Sequence, residues 1–330
     1  NTFFWLYIIP LLIVIGYTIF NHSKFGLLNQ EAANFVVNPF YNDHTSYGAM
    51  LGVFLPIIIY MLISNKYSAL TKVFIWLVLF ILIAAIVLSY TRATWISIFF
   101  ASIVLLFIIL KIKFKYVFTV ALILGITFFS YRTEILIYLE QNRQESSSNL
   151  SEQLKSVSNV TSDASNMERL NRWNCAIRMF NEKPIFGWGP GTYMFKYAPF
   201  QLTSEKTIIS TNAGDMGNAH SEYLGPLAES GLLGSLTFIF IVIFTFYTAL
   251  KMLKKFKNDR ELRILVIAII VGLTTYFLHG FLNNFLDTDK ASIPIWGFTA
   301  ILVALDVYYS NNDEKDSVIV EEKTKKIQDQ

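Results

Sequence analysis

Two arginines and a histidine are the residues whose types and placement could do chemistry. Arg92 sits in Ser89-Tyr90-Thr91-Arg92-Ala93-Thr94-Trp95, Arg169 in Glu168-Arg169-Leu170-Asn171-Arg172-Trp173, and His220 in Asn218-Ala219-His220-Ser221-Glu222-Tyr223-Leu224. A guanidinium offers a fixed fork of donors that matches phosphate oxygens and never deprotonates, so the arginines would clamp an anion. An imidazole is suited to proton transfer near neutral pH. Each residue also has a plainer role open to it. Arg92 could snorkel to lipid headgroups, the loop arginines could rest on water or lipid phosphate, and a lone histidine is commonly structural. Arg172, nearly a turn beyond Arg169, could reach a phosphate equally well. His279, Asn283 and Asp287 recur at spacings of four, which predicts one shared helix face. On a membrane helix such a face meets a wet cavity or forms a hydrogen-bond network. Asn42-Asp43-His44 is a further polar cluster. The four histidines (His22, His44, His220, His279) are far apart, with no paired carboxylate–histidine spacing, and no Gly-Lys-Ser/Thr phosphate loop occurs. Neither a metal site, nor a cofactor, nor a nucleotide-driven pump is therefore expected.

The elements that must position these groups are apolar. The chain has 330 residues, 54% hydrophobic and 15% charged, where soluble domains carry about 25% charged residues. Apolar residues gather into eight blocks long enough to span a membrane: 3–20, 46–63, 73–90, 93–110, 116–131, 233–250, 264–282 and 293–309. Lipid forces each segment to pair its own backbone, and no ten-residue alternation of a barrel is present, so the predicted fold is an all-α bundle of membrane-spanning helices. Lys66 and Lys72, then Lys111, Lys113 and Lys115, then Lys251, Lys254, Lys255, Lys257, Arg260 and Arg263 occupy alternate connections, which the positive-inside rule assigns to the cytoplasm. Segments 21–45, 91–92, 132–232 and 283–292 then lie outside, and the charged tail 310–330 inside. The organisation expected is helices one to five over 1–131, an external loop over 132–232, three helices over 233–309, and the tail. Within the loop, 140–167 is rich in Ser, Asn and Gln, whereas 168–180 reads as an amphipathic interfacial helix with Leu170, Trp173, Ile177 and Phe180 on one stripe. Phe186-Gly187-Trp188-Gly189-Pro190-Gly191 follows, with turn-permitting glycines and aromatics suited to the headgroup level. The first residue is Asn1, and an apolar block begins at once without a basic leader, so a truncated start is expected. A single cysteine, Cys175, allows no intrachain disulfide.

Taken together, the Ser89-x-Thr91-Arg92-x-x-Trp95 turn, Arg169-Leu170-x-x-Trp173, Pro184-Ile185-Phe186-Gly187-x-Gly189-Pro190-Gly191, Ala219-His220-x-x-Tyr223-Leu224 and Glu229-x-Gly231-Leu232-Leu233-Gly234 resemble, in order and spacing, the O-antigen ligase and O-antigen polymerase superfamily of bacterial envelope glycan assembly. The resemblance implies a GT-C-like membrane glycosyltransferase of the bacterial inner membrane, with its site on the periplasmic face. Its donor would be a glycan on undecaprenyl diphosphate, and its acceptor hydroxyl would lie on lipid A-core (a ligase) or on another lipid-linked unit (a polymerase). Membrane lipids would be partners and nucleic acid would not. By that analogy Arg92 and Arg169 hold the diphosphate without a metal ion, and His220 activates or orients the acceptor. Arg172, Glu222, His279 and Asn283 are expected to contact substrate. Two departures stand beside it: the family normally has more spans, and Glu168 replaces the small residue often found before the loop arginine. A lipid-linked glycan transporter with His279, Asn283 and Asp287 along a polar path, and an envelope scaffold, are the rival expectations.

Overall fold

A computed structural model describes residues 2–112, 116, 119, 164–207, 210, 211 and 217–328. The block expected to span at 116–131, and nearly all of the Ser, Asn and Gln-rich stretch 140–167, lie outside these residues. Every regular element among them is helical: α1 (Thr2–Ser23), α2 (Gln30–Ala33), α3 (His44–Ile63), α4 (Ala69–Leu88), α5 (Arg92–Ile109), α6 (Ala164–Glu182), α7 (Tyr193–Lys196), two short 3-10 turns (Ala198–Phe200 and Thr203–Glu205), α8 (Leu224–Lys255), α9 (Arg260–His279) and α10 (Asp289–Gln328). Seven are long and apolar enough to cross a membrane: α1, α3, α4, α5, α8, α9 and the Asp289–Tyr309 part of α10. They overlap seven of the expected blocks: α8 begins nine residues before its block, α4, α5 and α9 end one to three residues short of theirs, and three of the starts are fixed by side-chain caps. Asp43 accepts from Ser46 N at the start of α3, Ser68 from Thr71 N at α4, and Asp259 from Leu262 N at α9. The charged tail continues α10 as helix to Gln328.

The bundle is built around two helices. In α3 and α9, 67% of the spanning window is buried, against 17–33% in the other five, so α3 and α9 form the core and the others present apolar side chains to lipid. Small residues let the backbones approach. A Cβ on Gly48 of α3 would come within 2.6 Å of Thr91 Oγ1, and one on Gly272 of α9 within 2.8 Å of the Val53 carbonyl. Phe54, Phe298, Ile57, Ile269 and Leu273 are sealed in the centre.

The two ends of the bundle differ. At the end carrying the lysine-rich connections, Glu261 accepts from Ser64 Oγ (2.6 Å) and Asn65 N (2.9 Å), and Lys251 pairs with Asp306 (2.9 Å). The α3–α4 and α8–α9 connections therefore meet there, as the charge pattern predicts. At the opposite end the loop folds as a small unit on its own core of Cys175, Ala176, Met179, Tyr193, Tyr197, Ala219 and Ala228.

Local geometry refines one expectation and corrects another. The buried face of α6 is Glu168, Asn171, Arg172, Cys175, Ala176 and Met179, whereas Leu170, Trp173 and Phe180 are half-buried and Ile177 is 43% exposed. The face that α6 buries against the loop unit is thus polar, held by the Glu168–Arg172 pair and the amide of Asn171, and the apolar stripe is not the one it buries there. Likewise α9 stops at His279, capped by Gly280, so His279, Asn283 and Asp287 do not share a helical face.

The glycine-rich segment after α6 grips a kink in α8. Gly231, at φ +64° and ψ −161°, occupies a region that only glycine adopts readily. Trp188 N donates to Ala228 O (3.1 Å), Gly189 N to Glu229 O (2.7 Å) and Leu232 N to Pro184 O (2.8 Å). The Glu229 carboxylate accepts from Gly191 N (3.0 Å) and Tyr193 N (2.9 Å). Gly187 lies against Glu229 so closely that a Cβ would meet its carbonyl at 2.4 Å.

Candidate active site

The end of the bundle opposite the lysine-rich connections gathers three helix termini: the start of α3, the start of α5 and the end of α9. The turn between α4 and α5 is tight, with Tyr90 at φ +50°. Thr91, at the N-cap of α5, gives that helix no side-chain cap. Its hydroxyl instead donates to His44 O at 2.9 Å, which ties α5 to the start of α3. Arg92 is therefore the first residue of a helix that has neither a side-chain cap nor an acid in its first turn. A cation there opposes the helix dipole unless an anion joins it, and the same end attracts one.

Arg169 reaches the site from α6. Its Nε donates to Leu282 O (3.2 Å), just beyond the end of α9, and Nη1 to Asn166 Oδ1 (3.3 Å). His44, His220 and His279 all lie within electrostatic reach of this guanidinium, and His44 is also within reach of Arg92. The two arginines thus face one polar neighbourhood from different elements. Arg172 differs. It is buried, paired with Glu168 (2.6 Å), 3.8 Å from the centre of the Tyr197 ring, and donates through Nη2 to Thr211. Burial alone would raise the Glu168 carboxyl, but donors from Ser210, Arg172 and Thr207 outweigh it and hold the group below the usual carboxylate range. That network holds the loop unit together.

His220 is held by its backbone. Its N–H donates to Asn218 Oδ1 (3.0 Å), its carbonyl accepts from Trp173 Nε1 (3.3 Å), and its φ is +47°. Histidine tolerates this left-handed conformation better than most residues, though at a cost, and such strain concentrates at functional sites. Burial, with the guanidiniums of Arg169 and Arg172 nearby, pushes the imidazole from 6.5 down to about 4. It is neutral at pH 7 and able to accept a proton.

Glu222, two residues on, is engaged inside the protein. Its Oε1 accepts from the Tyr276 hydroxyl (2.5 Å), Phe285 N (2.6 Å) and Leu286 N (2.9 Å), and its own N–H donates to Gly280 O (2.8 Å). Burial raises its carboxyl. Glu222 shapes the turn after α9. His279 is buried at the end of α9, with Nε2 3.0 Å from Asn283 Nδ2, so the pair meets although the helix has ended. Asp43 and His44 join the site more closely than their sequence suggested. The polar cluster Asn42-Asp43-His44 was visible in the sequence; the cap pattern Asp43-x-x-Ser46, which starts a spanning helix with a histidine at its mouth, was the signal that would have placed it at the site. Among the described residues no group of three or more His, Cys, Asp or Glu is arranged to hold a metal ion.

A family model described as O-Antigen ligase matches residues 77–239, from within α4 through Arg92, Arg169 and His220 to the membrane part of α8. No curated protein matches the sequence.

Proposed function

Since residues 77–239 assign the chain to the O-antigen ligase family, a glycosyltransferase- or ligase-like enzyme class, we propose that it transfers a glycan from undecaprenyl diphosphate to an acceptor hydroxyl at the membrane surface. One observation carries the reading: Arg92, next to the Thr91 that is tied to the start of α3, and Arg169 arrive from separate elements within reach of His44, and Arg169 also lies near His220. In the reaction the acceptor oxygen attacks the anomeric carbon, the bond from that carbon to the phosphate oxygen breaks, and the hydroxyl proton passes to His220. Negative charge develops on the departing diphosphate. Arg92, at the dipole-positive start of α5, and Arg169, fixed by the Leu282 carbonyl, neutralise that charge with little reorganisation. Attack opposite the leaving group inverts the anomeric configuration, and a product linkage of retained configuration would refute this route. The acceptor we favour is lipid A-core, on the periplasmic side of the inner membrane.

The test is glycan profiling of envelopes from a deletion strain complemented with the wild-type gene, Arg92→Ala, Arg169→Ala or His220→Ala, at matched protein levels. The ligase reading expects long carrier-linked chains that remain unattached in all three variants. Single repeat units in place of chains would make the enzyme a polymerase, and wild-type profiles from all three would overturn the transferase site.

A further inference from the structure

Beside the proposed reaction centre, the connections α2–α3 and α9–α10 enclose a cleft of about 120 Å³. We infer that this cleft is a sugar subsite, in which Asn42, Asp43, Asn218, Asn284, Asp287 and Lys290 hold one pyranose ring by its hydroxyls next to the reacting bond. The inference rests on the transferase reading and adds where a ring sits and which side chains select it.

The lining argues for a neutral, hydroxyl-rich ligand. Three carboxamides, two carboxylates and one ammonium, with the acceptor oxygens of Ser46 and Thr288 beside them, offer both donors and acceptors. Two carboxylates make the cleft a poor host for phosphate, and an ammonium among them opposes a cation. Among the described residues Asn284 Oδ1 is shielded from solvent with no hydrogen-bond partner, and a buried carbonyl oxygen of that kind calls for a donor such as a hydroxyl. Asp43 commits Oδ1 to Thr45 Oγ1 (2.6 Å) and Ser46 N (2.7 Å). Among the described residues no hydrogen bond reaches its second oxygen, and Asp43 lines the cleft.

Location ties the cleft to the reaction. Asp43 precedes His44, and Asn218 accepts from His220 N. Asn284 follows Leu282 by two residues, and the Leu282 carbonyl carries Arg169. A ring in the cleft therefore has Arg169 and His220 as near neighbours, which suits either the donor sugar bonded to the diphosphate or the acceptor sugar bearing the attacking hydroxyl.

The experiment uses the full chain in detergent. Carrier-linked glycan extracted from the native host serves as donor, and envelope glycolipid from the deletion strain as acceptor. Asp287→Asn and Asn284→Ala are compared with wild type and Arg169→Ala, with melting temperatures recorded. Loss of one or two hydrogen bonds to a sugar is expected to raise KM for one substrate about tenfold, with melting unchanged. A rise confined to the donor assigns the ring to the donor, and one confined to the acceptor assigns it to the acceptor. Should Asn284→Ala melt early, Asp287→Asn at the exposed rim decides alone. Unchanged KM values for both substrates, with turnover of Arg169→Ala cut about 10²–10³-fold, would overturn the subsite and leave the transferase reading standing. Wild-type turnover in Arg169→Ala would instead overturn that reading.

Discussion

Arg169 and Arg172 are three positions apart and chemically identical, yet their surroundings give them opposite duties. Arg172 is sealed against Glu168 and Tyr197, and removing one partner of such a buried pair typically costs about 3–5 kcal/mol. Arg172→Ala should therefore lower the melting temperature markedly. Arg169→Ala should leave melting nearly unchanged and cut turnover by about 10²–10³-fold, the usual loss for one preorganised donor to a developing oxyanion. Thermal melting and initial rates on the same two preparations check both. His220 supplies a pH signature. Its folded value, about 4, lies below the ordinary 6.5 because burial disfavours the charged ring. Between pH 6.5 and 4 the unfolded chain binds a proton that the folded chain refuses, so stability falls as pH drops through that window and levels below it. His220→Asn should flatten this part of the stability profile. On the proposed mechanism the acid limb of kcat/KM in wild type should lie well below pH 6, because His220 stays neutral in the free protein until then.

At the scale of elements, the decisive device is the grip of the glycine-rich segment on the α8 kink. Gly231 combines a positive φ with a contact in which a Cβ would meet the Ile185 carbonyl at 2.3 Å. Gly231→Ala is expected to abolish the folded loop unit while the membrane helices persist, seen as proteolysis confined to the loop in otherwise intact protein. The glycines and Glu229 were legible as motifs, but not as each other's partners. Pairings made through backbone amides leave no trace in side-chain pattern. The spanning helices were legible because lipid imposes length and apolarity; apart from α8, which starts nine residues early, most of their ends moved by only a few residues. The buried face of α6 was not legible, since it is closed by ion pair, amide and hydroxyl contacts that hydropathy scores as surface. The end of α9 was missed for a related reason: spacing by four carries past His279, but Gly280 and the turn pinned by Glu222 end the helix there.

Across the whole molecule, α3 and α9 run side by side through the core and carry His44 and His279 at the site end. At their other ends Glu261 joins the start of α9 to Ser64 and Asn65, just past the end of α3. Glu261→Ala should reduce turnover measurably without altering any group that touches substrate, and equal rates in variant and wild type would show the two ends to be independent. Each helix has 20 residues, a rod of about 30 Å, and one residue of axial slip would displace it by about 1.5 Å. The Glu261 latch then acts as the zero mark of a ruler: it sets the registration of two histidines on the far side of the bilayer, so that an error at one surface is read at the other.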